Sequence, residues 1–150
     1  MLRLSTKARY ALRAMIELAL REGEGSVQLR EIADAQRLSP KYLEQLVIPL
    51  RHAGLVHTER GPSGGYSLAL PADEITALDV VRAVEGPLDL LDCVGRATIC
   101  ERSSSCAARE LWRDLSAAVG EVLGKRSLAD LASCQRTLNA AGGRRRARAV

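Results

Sequence analysis

The stretch SPKYLEQLVIPLRHAGLVHTERGPSGGY, Ser39 to Tyr66, decides the fold. Ser39 offers a side-chain oxygen to the free N–H groups of a helix start, and Pro40 suits the first helical position because its N–H is not needed there. From that point Leu43, Leu46, Val47 and Leu50 recur at helical spacing, which predicts one amphipathic helix from Pro40 to about His52. Its outer face carries Lys41, Glu44, Gln45 and Arg51, with Tyr42 at the edge of the apolar stripe. Pro49 is expected to kink this helix or loosen its last turn, and Gly54 to end it. Leu55–Glu59 and Tyr66–Leu70 then read as two strands around the turn GPSGG at 61–65, with Pro71 closing the hairpin. A helix followed by a hairpin with a basic, glycine-rich tip is the reading half of a winged helix-turn-helix.

On the N-terminal side, Ala8, Ala11, Leu12, Met15, Ile16, Ala19 and Leu20 predict a first helix from Ser5 to Arg21, with Arg9 and Arg13 on its polar face. The stretch EGEGS ends it, Val27 and Leu29 make a brief extended segment, and Arg30–Gln36 is the positioning helix. Leu38 is the apolar turn residue expected to lock that helix to the next. On the C-terminal side, a helix starting at Asp73 or Thr76 buries Ile75, Leu78, Val80, Val81 and Val84, stops at Gly86-Pro87 and packs back on the winged unit. Residues 88–106 hold no sustained helical period and read as a loop. From Ala107 to Leu123, Leu111, Leu115, Ala118, Val119 and Val122 form one stripe beside Trp112, either core or a dimer interface. Ser127 caps a last helix to about Leu138. The fold class is thus mainly α with a small β-hairpin. It divides into a winged helix-turn-helix (1–86), a cysteine-rich loop (87–106), a long helix with the last helix (107–138) and a disordered basic tail (139–150).

A chain of 150 residues can bury one core, and 47% hydrophobic content with no Phe makes that core aliphatic. Residues 1–70 hold ten Lys/Arg against seven Asp/Glu, and residues 71–143 eight against eleven. A basic front and an acidic back suit a molecule that meets phosphates at one end. No apolar run approaches the roughly 20 residues that cross a bilayer, and Arg and Lys interrupt the opening segment, so a cytoplasmic protein with no membrane role is expected. No nucleophile–base pair, phosphate loop or His beside carboxylates is present, which argues against an enzyme.

The outward residues of the central helix carry DNA-reading chemistry. A carboxylate such as Glu44 accepts from cytosine N4, and an amide such as Gln45 pairs with adenine. Ser39, Lys41 and Tyr42 are placed for phosphates or neighbouring bases, and Lys7 and Arg9 for the backbone. At the wing, Arg60 supplies charge, and Gly64 and Gly65 let the chain approach a sugar–phosphate surface; a plain glycine-rich turn is the alternative.

Four Cys in an intracellular chain suit ligation or thiol chemistry better than structural disulfides. Cys93, Cys100 and Cys106 stand as C-x6-C-x5-C in a Gly- and Ser-containing loop. Thiolates are the preferred ligands of iron–sulfur clusters, though three unrelated thiols would look the same from spacing alone, and the paired C-x2-C of zinc ribbons is missing.

The blocks RLSTKARYALRAM, YLEQL at 42–46, RGPSGGY at 60–66, the three spaced Cys and LWRDLS at 111–116 closely resemble the bacterial Rrf-two family of winged-helix regulators, its IscR-, NsrR- and RirA-like members, and the IscR-like ones most of all. The resemblance covers residues 2 to about 138. It implies a homodimeric transcriptional regulator or repressor, joined through the helix 107–123, that binds a pseudo-palindromic double-stranded DNA operator and reads bases with Glu44 and Gln45. It also implies an iron–sulfur cluster, 4Fe–4S or 2Fe–2S, held by Cys93, Cys100 and Cys106 as a redox-sensing metal site. The chain departs from the family at the fourth ligand. IscR-like proteins place a His where Arg109 stands, and NsrR-like proteins an Asp where Arg9 stands. Asp92, Glu101, Glu110 and Cys134 stay open as candidates for that place, as does an open iron site. A cluster-free thiol-redox regulator pairing Cys100 with Cys106 is the alternative function, and an adaptor for a partner enzyme a further one.

Overall fold

The computed structural model describes residues 5–61 and 64–147, with side chains to residue 142. In chain order it has α1 (Thr6–Leu20), α2 (Leu29–Gln36), α3 (Pro40–His52), β1 (Val56–Glu59), β2 (Gly65–Leu68) and α4 (Ala77–Glu85). A single turn α5 (Asp92–Gly95), two 3-10 turns (Ala97–Ile99 and Ser103–Ser105), α6 (Ala107–Gly124) and α7 (Leu128–Ala147) follow.

Side-chain oxygens open α1, α3, α4 and α7, as their sequences dictate. The Ser5 hydroxyl accepts from the Lys7 and Ala8 N–H groups at 3.0 and 3.4 Å, and the Ser39 hydroxyl from the Tyr42 N–H at 3.2 Å. Thr76 and Asp79 exchange bonds reciprocally at the start of α4, and Ser127 and Asp130 do the same before α7. Pro40 occupies the first turn of α3, and Gly54, at φ 72°, takes the left-handed conformation just past its end.

One aliphatic core joins α1, α2, α3, α4 and the start of α7. Met15, Ile32, Leu43, Leu50, Ile75, Val80, Val81 and Leu128 are all closed to solvent. A polar chain pins α2 to α1: Arg13 donates to Gln36 (2.8 Å), Gln36 to Glu17 (3.2 Å), and Arg21 bridges Glu17 and Glu31 at 3.1 and 2.7 Å. The two helices of the helix-turn-helix meet at Arg37, in the left-handed conformation at φ 54°, where the Leu38 N–H donates to the Ala33 carbonyl at 2.9 Å. Leu38 itself is only half-buried, so the lock expected of its side chain is made by the backbone turn instead.

β1 and β2 pair antiparallel, Val56 opposite Leu68 and Glu59 opposite Gly65. Of the brief extended segment expected at Val27 and Leu29, Val27 is extended, whereas Leu29 already opens α2. Val27 and Tyr66 exchange two backbone bonds of 2.9 and 2.8 Å, so the hairpin is tied back to the α1–α2 loop.

α3 spans Pro40–His52, as expected; Pro49 sits near its end, where the loss of one N–H bond is tolerated. Two details differ from expectation. α7 does not stop at Leu138 but continues to Ala147. Gly142 and Gly143 each cost a helix about 1 kcal/mol against Ala, whereas no Pro, at about 3 kcal/mol, stands in the way. The disorder expected of 139–150 is therefore replaced by helix up to residue 147, and the last three residues lie outside the described ones. Lastly, α7 closes the core of the winged unit through Leu128 and Ala132 rather than staying with α6.

Candidate functional site

α3 presents two unlike faces. Leu43, Leu46, Val47 and Leu50 are buried, while Ser39, Lys41, Glu44, Gln45, Ile48 and Arg51 are exposed. A concavity of about 360 Å³ lies between that outer face and the wing, lined by Lys41, Glu44, Gln45, Ile48, Arg51 and Tyr66 among others. Lys41, Glu44 and Gln45 thus share one concave surface, and their side-chain ends are free to engage a ligand. Arg60 is exposed at the wing tip; Pro62 and Ser63 of the expected turn lie outside the described residues. A Cβ on Gly65 would run into the Val27 carbonyl, and one on Gly64 into the Glu59 carbonyl. Both glycines are therefore required by the wing's own packing, whatever else they touch.

Tyr42 is half-buried because it meets Tyr10 of α1 edge to face, ring centroids 6.0 Å apart. Arg9 and Arg13 flank the same Tyr10 ring, with guanidinium carbons 4.7 and 5.6 Å from its centroid. Tyr10 therefore joins the basic face of α1, with exposed Lys7 nearby, to the start of α3. Sequence reasoning missed this residue; its only signal is a Tyr among alanines on the edge of the α1 stripe.

The second site is the segment between α4 and α6. Cys93, Cys100 and Cys106 are free thiols, each half-buried, and Cys106 stands immediately before α6. The donor chemistry suits an iron–sulfur cluster. The arrangement is spread, since among the described residues no three His, Cys, Asp or Glu side chains gather as they would around one ion. Of the candidates for a fourth ligand, Asp92 pairs with Arg96 and Glu110 with Arg113. Glu101 and Cys134 are exposed, the latter on α7, and His52 and His57 are exposed in the winged unit.

Arg109 fills the place inside the loop. Its guanidinium donates to the Cys93 carbonyl at 2.7 Å, the Ser103 carbonyl at 3.3 Å and the Val94 carbonyl at 3.4 Å. The sequence marked it only as a residue that cannot ligate iron; its three acceptors are 6 to 16 positions away and no periodicity announces them.

α6 buries none of its residues. Leu111 is 62% exposed, Trp112 37%, Leu115 41% and Val122 67%, so the stripe that could have been core is uncovered in the single chain. Among the described residues no helix is long and apolar enough to cross a membrane.

Known proteins share this arrangement. Residues 4–133 match Rrf2, the family described as iron-dependent transcriptional regulators. The HTH-type transcriptional regulator CymR of Bacillus subtilis is 47% identical over 132 residues, covering 88% of this chain and 91% of its own. The solved structure of CymR, the global cysteine regulator of B. subtilis, superposes with a TM-score of 0.75 at 49% identity over 89% of this chain and 98% of that one. The HTH-type transcriptional regulator IscR of Photorhabdus laumondii is 43% identical over 141 residues, 94% of this chain and 85% of its own. With a family match over 130 of 150 residues and a winged-helix neighbour across nearly its whole length, the chain belongs to the Rrf2 family of transcriptional regulators.

Proposed function

We propose that the chain is a homodimeric, cytoplasmic transcriptional regulator, a repressor, that binds a pseudo-palindromic operator, and that the state of Cys93, Cys100 and Cys106 sets its affinity. The observation that carries this reading is the exposed face of Ser39, Lys41, Glu44 and Gln45 beside a wing ending in Arg60, joined by one helix to a loop that holds three free thiols. Glu44 and Gln45 read base edges in the major groove; Ser39, Lys41 and Tyr42 fix the register on the backbone; Arg60, Gly64 and Gly65 approach the flanking minor groove. The bare stripe of α6 pairs with the same stripe of a second copy, which places two α3 helices on two half-sites.

Cys93, Cys100 and Cys106 are the residues that would hold an iron–sulfur cluster, which when bound supplies a centre sensitive to oxygen, nitric oxide and iron supply. Three thiols are one short of the usual four ligands, and a guanidinium has no lone pair to offer at position 109; Asp92, Glu101, Glu110, Cys134 or a small molecule would take the fourth place. The loop lies between α4 of the winged unit and α6, so a change in it bears on how the two α3 helices are spaced. A coupling of about 1–3 kcal/mol suffices for a 5- to 150-fold response.

A second reading has its own support. CymR, the global cysteine regulator of B. subtilis, is the more identical of the two relatives, and the thiols are spread rather than gathered. In this reading Cys100 and Cys106 form a reversible disulfide and no cluster is needed.

The test is protein purified without oxygen, its visible spectrum, iron and sulfide measured on the same sample, and operator binding measured before and after oxygen. A brown protein with about two to four iron per chain whose affinity changes on cluster loss supports the first reading. A colourless protein whose binding follows added reductant supports the second, and binding indifferent to both overturns control by the thiols.

A further inference from the structure

The segment 87–105 has no buried residue in any of its turns. Its own backbone bonds are short-range: Val94 to Leu91, Arg96 to Asp92, Ile99 to Arg96, Ser103 to Cys100 and Ser105 to Arg102. Such bonds shape local turns but do not fix the loop to the rest of the molecule. Among the described residues four side-chain hydrogen bonds tie it to α6. One runs from the Leu90 N–H to the Ser116 hydroxyl at 3.2 Å, and the other three come from Arg109. The guanidinium is half-buried, and among the described residues no carboxylate pairs with it. Its fork reaches both limbs of the loop, Cys93 and Val94 on one side and Ser103 on the other, as a planar group with fixed N–H directions can and an ammonium cannot.

We infer that Arg109 is the positioning residue of the cysteine loop: it holds the segment from Cys93 to Ser103 against α6 when the thiols bind nothing, so that the three cysteines stay arrayed in the metal-free, reduced protein. The inference rests on the proposed regulatory role of the thiols only in calling them the group that is held. Cys93 has two parts in this arrangement. Its sulfur is free, while its carbonyl takes the closest of Arg109's bonds, so the first cysteine and the first turns of α6 move as one body. Release of whatever the thiols bind therefore leaves a loop that is still docked, and the reset to the loaded form starts from an ordered site.

The test uses the full chain, metal-free and reduced, and reads amide hydrogen exchange of peptides from 88–106 against peptides from α1 and α3. In Arg109→Ala the loop amides exchange at least about tenfold faster while α1 and α3 are unchanged, the effect of losing charge-assisted bonds in a locally opening segment. Arg109→Lys keeps the charge and loses the fork, and does not restore protection; millimolar guanidinium added to the alanine variant does so in part. Ser116→Ala leaves the 93–103 amides as they were. Should the alanine chain fail to fold, Arg109→Gln carries the same comparison. Loop exchange within about twofold of the parent in a folded variant overturns the inference, as does full restoration by Lys, which would make charge rather than geometry the requirement. Because the experiment runs without metal, its failure leaves the iron content unaddressed, and an iron-free protein leaves this test untouched.

Discussion

The winged unit and the segment from Leu88 through α6 are built on opposite principles. In the first, local signals and burial agree. Every long apolar side chain of the α3 stripe is closed off, α1, α3 and α4 are each capped by their own Ser or Thr, and the hairpin is laced to Val27. In the second, no side chain is buried, the apolar stripe of α6 faces outward, and one guanidinium does most of the fastening. The lesson is that the winged unit is self-sufficient in its own contacts, whereas the other segment leaves its apolar stripe and its thiols without partners among the described residues.

The largest effect that bears on this contrast is expected in the core. Leu43→Ala removes a fully buried side chain and should cost about 2–5 kcal/mol in urea unfolding. A loss below 1 kcal/mol would mean that the winged unit is looser than its packing implies. Leu115→Asp, by contrast, should leave the chain's helicity intact and weaken self-association about a hundredfold or more, since a charge then sits in the middle of the stripe; sedimentation over a concentration series reads it. A dimer of unchanged strength would hand the stripe to another partner. Gly65→Ala comes next, at about 1–3 kcal/mol, because the added methyl meets the Val27 carbonyl and backbone must give way. Its thermal midpoint should fall before any DNA is added. If stability holds and only DNA binding falls, the glycine serves the groove and not the hairpin. The smallest effect is Ser39→Ala, about 1 kcal/mol from the lost cap on Tyr42, and operator affinity should fall with it as the start of α3 frays.

What was legible in the sequence follows the same division. Helix α3 was found to the residue because its information is local: Ser-Pro at one end, Gly at the other and a 3.6-residue period between. The stripe of α6 was equally plain, but periodicity says only that a face is apolar, never what covers it. The packing role of Gly65 is hidden in the sequence, because the residue that crowds it from within, Val27, is far away along the chain. In sequence Arg109 reads solely as a missing ligand, since the carbonyls it engages are anonymous there; every residue has one. Tyr10 escaped for a similar reason, its partner Tyr42 lying across two other elements. The end of α7 is not legible in the sequence, because arginines and paired glycines resemble a solvated tail until an anchored helix is there to be extended.

The junction before α7 carries a last consequence. The Ala77 N–H donates to the Arg126 carbonyl and the Leu128 N–H to the Ile75 carbonyl, both at 2.8 Å, so the far end of α6 returns to the first turn of α4. A Cβ on Gly124 would meet the Leu78 side chain, so this end of α6 lies against the start of α4. The near end of α6 continues from the loop of residues 86–106, whose ties run to α6 itself through Arg109 and Ser116. The long helix is therefore hung like a door, with its hinge at residues 126–128 and its latch at the cysteine loop. A push on the free edge of a door turns it about the hinge, so a force on the first turns of α6 would swing that helix about its junction with α4.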